Sequence, residues 1–292
     1  MSAVNPAAEV AAPVIEPEEQ APAKMWTALV RGRGLAGALL VGLVVLAGLL
    51  APWLAPYSPD EQIPGATLLG PNGSHLLGTD EANRDLLSRT LYGIRVDLIV
   101  VFVAVPVGAV IGSLLGLLAT FWNWADIALQ RMLDLILAFP VIILGIATSM
   151  IVGRGLLTIA TVIVIAEIPA FGRLVRTSVL TVRELPYVEA ALVAGAGRGW
   201  LLRKHVLPNS VEPLMIQLTL AMSVAVFIEG GMSFLGLGIA QPTPSLGSLI
   251  KEGTRNLYHS WTYAVGPLVV VVALVLGLLL ISQALGAHSR KK

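Results

Sequence analysis

Cysteine is absent from all 292 residues, which excludes disulfides, thiol catalysis and thiolate metal sites and leaves the redox compartment open. Charge is scarce: Asp, Glu, Lys and Arg make up 13% of the chain, against the roughly 25% that a soluble domain carries. So few charged groups cannot cover a globule of this size, and lipid must be part of the solvent. The formal net charge is +1, so no global field draws the chain to nucleic acid or acidic ligands. No G-x-x-x-x-G-K-[ST] loop is present, so the chain cannot itself cradle ATP phosphates, and H-E-x-x-H is missing as well. His75, His205, His259 and His288 are scattered and suggest no metal cluster. "GMSFL" has Leu235 where a nucleophile elbow needs its second glycine. "GRGLAG" (Gly32–Gly37) has dinucleotide-loop spacing but follows no strand and opens an apolar run, which makes it a chance match.

What the chain does have is long apolar runs. A helix needs roughly 20 apolar residues to cross the hydrocarbon layer. Six stretches qualify: Leu35–Leu54, Leu98–Ala119, Ile127–Val152, Leu156–Leu174, Pro213–Leu237 and Ala264–Leu285. Each is expected to be helical, since backbone in lipid must satisfy its own hydrogen bonds. "VGRG" (Val152–Gly155) predicts a tight antiparallel hairpin of the third and fourth. The first 24 residues, rich in Ala, Pro and Glu, read as a solvated tail, and the acids there argue against a signal peptide. With the N-terminus inside, 13 Lys and Arg residues fall on inner segments and 6 on outer ones, so the bias predicts both ends in the cytoplasm. The expected organisation is a tail over 1–24, a first span within 25–54, an outer loop over 55–97, a five-span core over 98–285 and a basic tail over 286–292. Gly108, Gly112 and Gly116 make two G-x-x-x-G steps suited to close helix packing. Pro106, Pro140 and Pro169 are tolerable within membrane helices and do not by themselves mark hinges.

Between the fourth and fifth spans lies "LPYVEAALVAGAGRGWLLRKHVLPN" (Leu185–Asn209), charged and broken by glycines. Pro186 suits a first helical turn. "YVEAALVA" then favours a helix with Tyr187, Ala190, Ala191 and Ala194 along one side. Gly195, Gly197 and Gly199 interrupt it, and "WLLRKHV" predicts a second short helix ending before Pro208. Physics alone leaves two readings: an amphipathic segment resting on anionic headgroups, or a rigid helix–turn–helix offering small residues to another protein.

"EAALVAG" followed by "HVLPN" resembles the signature cytoplasmic loop of importer permeases of the ABC transporter class. "LGTDEANRDLLSRTLYGIRVDL", "DLILAFPVIIL" and "GGMSFLGLGIAQPTPSLGSLIKEG" resemble the dipeptide/oligopeptide/nickel subfamily, and in particular its second, C-type permease. The likeness runs from about Ala51 to the C-terminus. It departs from the pattern at Ala82–Asn83, where a small hydrophobic–Gly pair is common, and at Glu229–Gly230–Gly231, where more Ser or Ala is expected. The resemblance implies an all-α membrane protein with six transmembrane helices, the type I ABC importer permease fold, and a cytoplasmic coupling helix within 183–209. It implies that Tyr187, Glu189, Ala190, Ala191, Gly195, Arg198, His205 and Pro208 belong to the segment that meets the ATPase, with Glu189 in contact and Gly195 setting the turn. It implies a second permease subunit, two ATPase subunits or one fused ATPase chain, and an extracytoplasmic substrate-binding protein. Location would be the bacterial plasma (inner) membrane. No cofactor is expected on this chain, with ATP and Mg on the partners and no catalysis of its own. The cargo expected is peptides, with nickel chelates or glutathione as alternatives.

Charges at membrane depth are candidates for the translocation path. Asp134 stands three residues from Arg131, as a structural pair or a path residue; Glu167 pairs within the bundle or faces the cavity. Glu229 lies roughly 24 Å into the fifth span, where it either meets a delivered cation or pairs with a partner permease. On the outer side, Thr79 or Asp80 is expected to cap an amphipathic helix reaching Arg95, and "QPTPSLGSLIKEG" forms a proline-braced loop. The resemblance places the binding protein here, so Arg84, Asp85, Arg89, Pro242 and Pro244 are candidate docking residues, with packing inside the permease as the alternative. A proton-driven secondary transporter using Glu167 or Glu229 is the rival reading, but the internal repeats it predicts are not visible in the sequence.

Overall fold

The computed structural model describes residues 25–195, 197–201, 204 and 207–289. Among these residues the architecture is all-helical. A 3-10 turn, Met25–Leu29, leads into α1 (Gly32–Leu49) and the short α2 (Ala51–Leu54). After a long loop come α3 (Leu86–Ala119), α4 (Asn123–Ala138), α5 (Val141–Val152) and α6 (Leu156–Arg183). The short α7 (Pro186–Val193) and α8 (Arg198–Leu201) follow, then α9 (Leu207–Leu235), α10 (Leu246–Arg255) and α11 (Thr262–Ser289). Five of these helices are long and apolar enough to span a membrane, and α4 with α5 makes a sixth if the bent pair counts as one span. The chain is a multi-pass membrane protein.

Three boundaries differ from the sequence-based expectation. The third span is not one helix: α4 and α5 meet at a 93° bend. Phe139 is extended (φ −95°, ψ 129°) because it precedes Pro140, whose ring disfavours the α conformation at the residue before it. Pro106 and Pro169 sit inside unbroken helices, so context decides which proline bends the chain. The expected outer amphipathic helix and the second span are one 34-residue helix, α3. At 1.5 Å per residue it is about 51 Å long, some 20 Å more than a bilayer core needs. Its N-cap is Asp85, whose side chain accepts from the Ser88 N–H, and not Thr79 or Asp80. Likewise α6 runs nine residues beyond Leu174, lifting α7 beyond the membrane-length segment.

The core forms where α3, α6, α9 and α11 converge. Val101, Ala104 and Val105 of α3 meet Ile159, Val162 and Ile163 of α6, Ala225 and Val226 of α9, and Leu274 of α11. The α3–α6 contact depends on missing side chains. A Cβ on Gly112 would stand 2.6 Å from the Ile168 carbonyl oxygen, and one on Gly108 2.9 Å from that of Val164. The apolar residues Leu43, Val103, Ile146, Met150, Phe227 and Val269 point outward, as expected of helices solvated by lipid.

Candidate functional site

The short-helix end of the bundle is built on a valine cluster. Val175, Val179 and Val182 line the protruding end of α6, and Val188 of α7 seats against them at 1% exposure. Leu117 of α3, Leu214 of α9, Leu185 and Ala191 pack around this cluster. The α7 segment is thus seated on the end of α6, through a cluster against which α3 and α9 also pack. Pro186 opens α7 and Gly195 follows it with φ +88°, a left-handed conformation that suits glycine, so both expected boundaries of this helix are present. Ala191 faces the cluster and Ala194 is exposed, so the alanines do not share one open side as the pattern suggested. The side chains of Tyr187, Glu189, Ala190, Arg198 and Pro208, and the whole of His205, lie outside the described residues.

Ion pairs brace the same end. Arg176 grips Asp126 with two hydrogen bonds, Nε to Oδ1 at 2.5 Å and Nη2 to Oδ2 at 2.7 Å, tying α6 to α4. Arg183 donates to the Thr120 carbonyl, tying α6 to the end of α3. Asp134 takes Arg173 of α6 at 2.6 Å, while its helical neighbour Arg131 stays 3.9 Å away and 81% exposed. The pair that matters is therefore between helices, which three-residue spacing along one helix could not reveal. Glu167, with Arg173 engaged elsewhere, is 5% exposed and stands against Gly108 in the α3–α6 seam. No described residue gives it a hydrogen bond or ion pair.

Glu229 is sealed within the bundle. It is 1% exposed, accepts from Ser233 Oγ at 2.7 Å, and its carboxyl meets that of Asp97 on α3, also 1% exposed. Asp97 in turn accepts the Leu246 N–H at 3.1 Å, fixing the start of α10. This carboxyl–serine cluster joins α3, α9 and α10, and Glu229 is not among the residues lining the cavity described below. Sequence reading singled out Glu229 but missed Asp97 as its partner, because the two are 132 residues apart.

At the loop end, residues 55–85 fold into a compact cap. Asp80 accepts from the backbone of Ala82 and Arg84 and from Arg84 Nε at 2.7 Å. Asp85 accepts from Ser88 Oγ and faces His75 Nδ1 at 2.9 Å. Arg89 is fully buried and donates to the carbonyls of Pro59 and Pro242, stitching the cap to the loop before α10. Arg84, Asp85 and Arg89 therefore point into the cap and hold its shape, and any docking surface here is one they support from beneath. Pro242 is exposed on the loop that Arg89 secures, whereas Pro244 is buried, so of the two predicted docking prolines only Pro242 presents its side chain at the surface. The Ala82–Asn83 departure has a structural reason: Asn83 adopts φ +64°, a left-handed conformation that glycine favours and asparagine tolerates.

A shallow cavity of about 320 Å³ opens at this end between the α5–α6 turn, the end of α9, and α10. Arg154, Lys251 and Arg255 line it above Ser233 and Ser248.

Comparison with known proteins agrees with this architecture. The family profile described as "Binding-protein-dependent transport system inner membrane component" matches residues 108–292, and that of the "N-terminal TM domain of oligopeptide transport permease C" matches 26–71. The chain is 37% identical to the di/tripeptide transport system permease protein DppC of Pseudomonas aeruginosa, over 90% of this chain and 89% of the relative. It is 35% identical to the dipeptide transport permease DppC of Alkalihalophilus pseudofirmus (86% and 83% covered). Against the glutathione transport permease GsiD of Pectobacterium atrosepticum it is 33% identical (90% and 88% covered). Two inward-facing structures of the MetNI methionine ABC transporter share the fold, with TM-scores of 0.51 and 0.53 at 23% and 22% identity, over 69% and 70% of this chain and 94% of each solved chain. With its membrane-length helices and these relatives, the chain belongs to the family of binding-protein-dependent transport system inner membrane components, the permease subunits of ABC importers.

Proposed function

We propose that this chain is the C-type permease of a peptide importer in the bacterial plasma (inner) membrane. It forms the translocation path with a second permease and is driven by two ATPase subunits or one fused ATPase chain. The termini, including the 1–24 and 286–292 tails, lie in the cytoplasm with α7. The cap over 55–85 and α10 face outward, where an extracytoplasmic binding protein delivers cargo. The chain carries no catalytic residue and no cofactor; ATP and Mg are held by the partners. Peptide cargo is supported by the relatives named for di- and tripeptide transport.

The observation that carries this reading is the seating of α7. A helix of eight residues is far below the ~12–15 that hold together alone in water, yet its buried Val188 fixes it to α6 with α3 and α9 alongside. A force applied to α7 therefore bears on the end of α6 and, through the shared valine cluster, on the α3 and α9 ends packed against it. Such a lever lets closure of the ATPase pair rock the spans between inward and outward openings, with Glu189 making the contact, Gly195 setting the angle, and Tyr187, Ala190, Ala191, Arg198, His205 and Pro208 completing the docking segment. Along the path, Glu167 and the Asp134–Arg173 pair are the groups that cargo passes once the bundle opens. The test is Glu189→Arg in the assembled complex. The ATPase subunits are expected to be lost on purification, or transport to stop, while the chain still inserts; unchanged uptake refutes the docking role. Transport by this chain alone in vesicles would favour a proton-driven carrier instead.

A further inference from the structure

The cavity bounded by the α5–α6 turn, the end of α9 and α10 has a charge pattern that the importer reading does not explain. Arg154, Lys251 and Arg255 come from two separate elements and line one space of about 320 Å³. None of the three has a carboxylate within ion-pair distance among the described residues. Lys251 extends across the site towards Gly236, with its Nζ 2.7 Å from where a Cβ on Gly236 would be. Only Glu252 could neutralise them from within the cavity, and both its oxygens are taken by neutral donors. Gln241 Nε2 donates to Oε1, and the Tyr263 hydroxyl donates to Oε2 at 2.8 Å. Other outer arginines are managed differently: Arg84 and Arg89 are both paired with Asp80. Three cations and one diverted carboxylate leave a net charge of about +2 in a small cleft whose floor carries the Ser233 and Ser248 hydroxyls. Like charges gathered so closely repel one another unless an anion joins them.

We propose that this cleft is a carboxylate-binding vestibule on the outer face, which receives the carboxylate of an anionic or zwitterionic cargo such as the C-terminus of a peptide. The proposal rests on the importer reading and deepens it by assigning this end of the path a charge preference. Arg154 and Arg255 form the rim, exposed to incoming cargo, and the half-buried Lys251 holds the group nearest the floor. An arginine fork suits a planar carboxylate.

The cysteine-free sequence makes a direct test possible. Ala240, exposed at the edge of the cleft, is replaced (Ala240→Cys) in the full importer complex, with partner subunits stripped of cysteine, in proteoliposomes. Anionic sulfonatoethyl and cationic trimethylammonioethyl methanethiosulfonates then report the local potential as reaction rates. The anionic reagent is expected to react about tenfold faster than in the same protein carrying Arg154→Gln, Lys251→Gln and Arg255→Gln, with the cationic reagent changing the opposite way. Trialanine should slow the anionic reagent and trialanine amide should not. Equal rates with and without the three cations overturn the proposal. So does protection by the amide equal to that by trialanine. Blocking by the empty binding protein, with neither peptide protecting, assigns the cations to protein docking and overturns it too. Binding-protein-stimulated ATP hydrolysis by the Ala240→Cys complex is read in the same vesicles. Its absence counts against the importer reading and not against the charge preference.

Discussion

Replacing Val188 by alanine probes the lever where it is thinnest. The side chain is 1% exposed among Val175, Val179 and Val182. Removing two methyl groups costs about 1.6 kcal/mol in transfer free energy at ~0.8 kcal/mol per buried carbon. The space left behind raises this to about 2–3 kcal/mol, because the surrounding helix ends relax only in part. The loss falls on one small segment and not on the whole bundle, since α7 has eight residues and little stability of its own. A change of that size lowers the ratio of seated to unseated α7 by roughly 30- to 150-fold. Hydrogen exchange on the assembled complex reads this directly: α7 amides should exchange faster by about that factor, while amides in the middle of α3 and α6 stay as protected as before. Peptide moved per ATP hydrolysed should fall in parallel. Val188→Ile, which keeps the cluster filled, should preserve both. If Val188→Ala leaves α7 exchange unchanged, the valine cluster does not hold the platform and the lever has another foundation.

Other expectations follow from the bundle and the cap. Gly112→Leu drives a side chain into the Ile168 carbonyl from 2.6 Å; it should part α3 from α6, cost about 1–3 kcal/mol or more, and lower the midpoint of thermal unfolding in detergent, whereas Leu118→Ala on an exposed face should not. Glu229→Gln keeps hydrogen-bonding groups against Asp97 and Ser233 and should unfold near the parent temperature, while Glu229→Ala leaves buried polar atoms unpartnered at about 1–3 kcal/mol and should unfold earlier; equal midpoints for the two variants would show that the cluster contributes nothing to stability. Asn83→Gly should be neutral or slightly stabilising because of the φ of +64°, and Asn83→Val should loosen the cap and expose residues 55–85 to protease.

Much of this architecture follows from composition and periodicity alone. Apolar runs of membrane length, with too few charges to cover a soluble surface, leave helices as the only economical backbone, and their number and order can be read along the chain. Pro186 and Gly195 mark the ends of α7 because ring closure and a missing Cβ act on the backbone locally, wherever the segment sits. The partnerships were not legible in this way. Asp97 meets Glu229, Asp134 prefers Arg173 to Arg131, and Arg89 turns inward to the Pro242 carbonyl, because each depends on which helix faces which after packing. Pro140 bends its span and Pro106 does not, although both are prolines in apolar runs. Local chemistry sets what a segment can become; the distances that give a buried charge its partner, and leave three cations in the outer cleft without one, exist only once the helices have closed on each other.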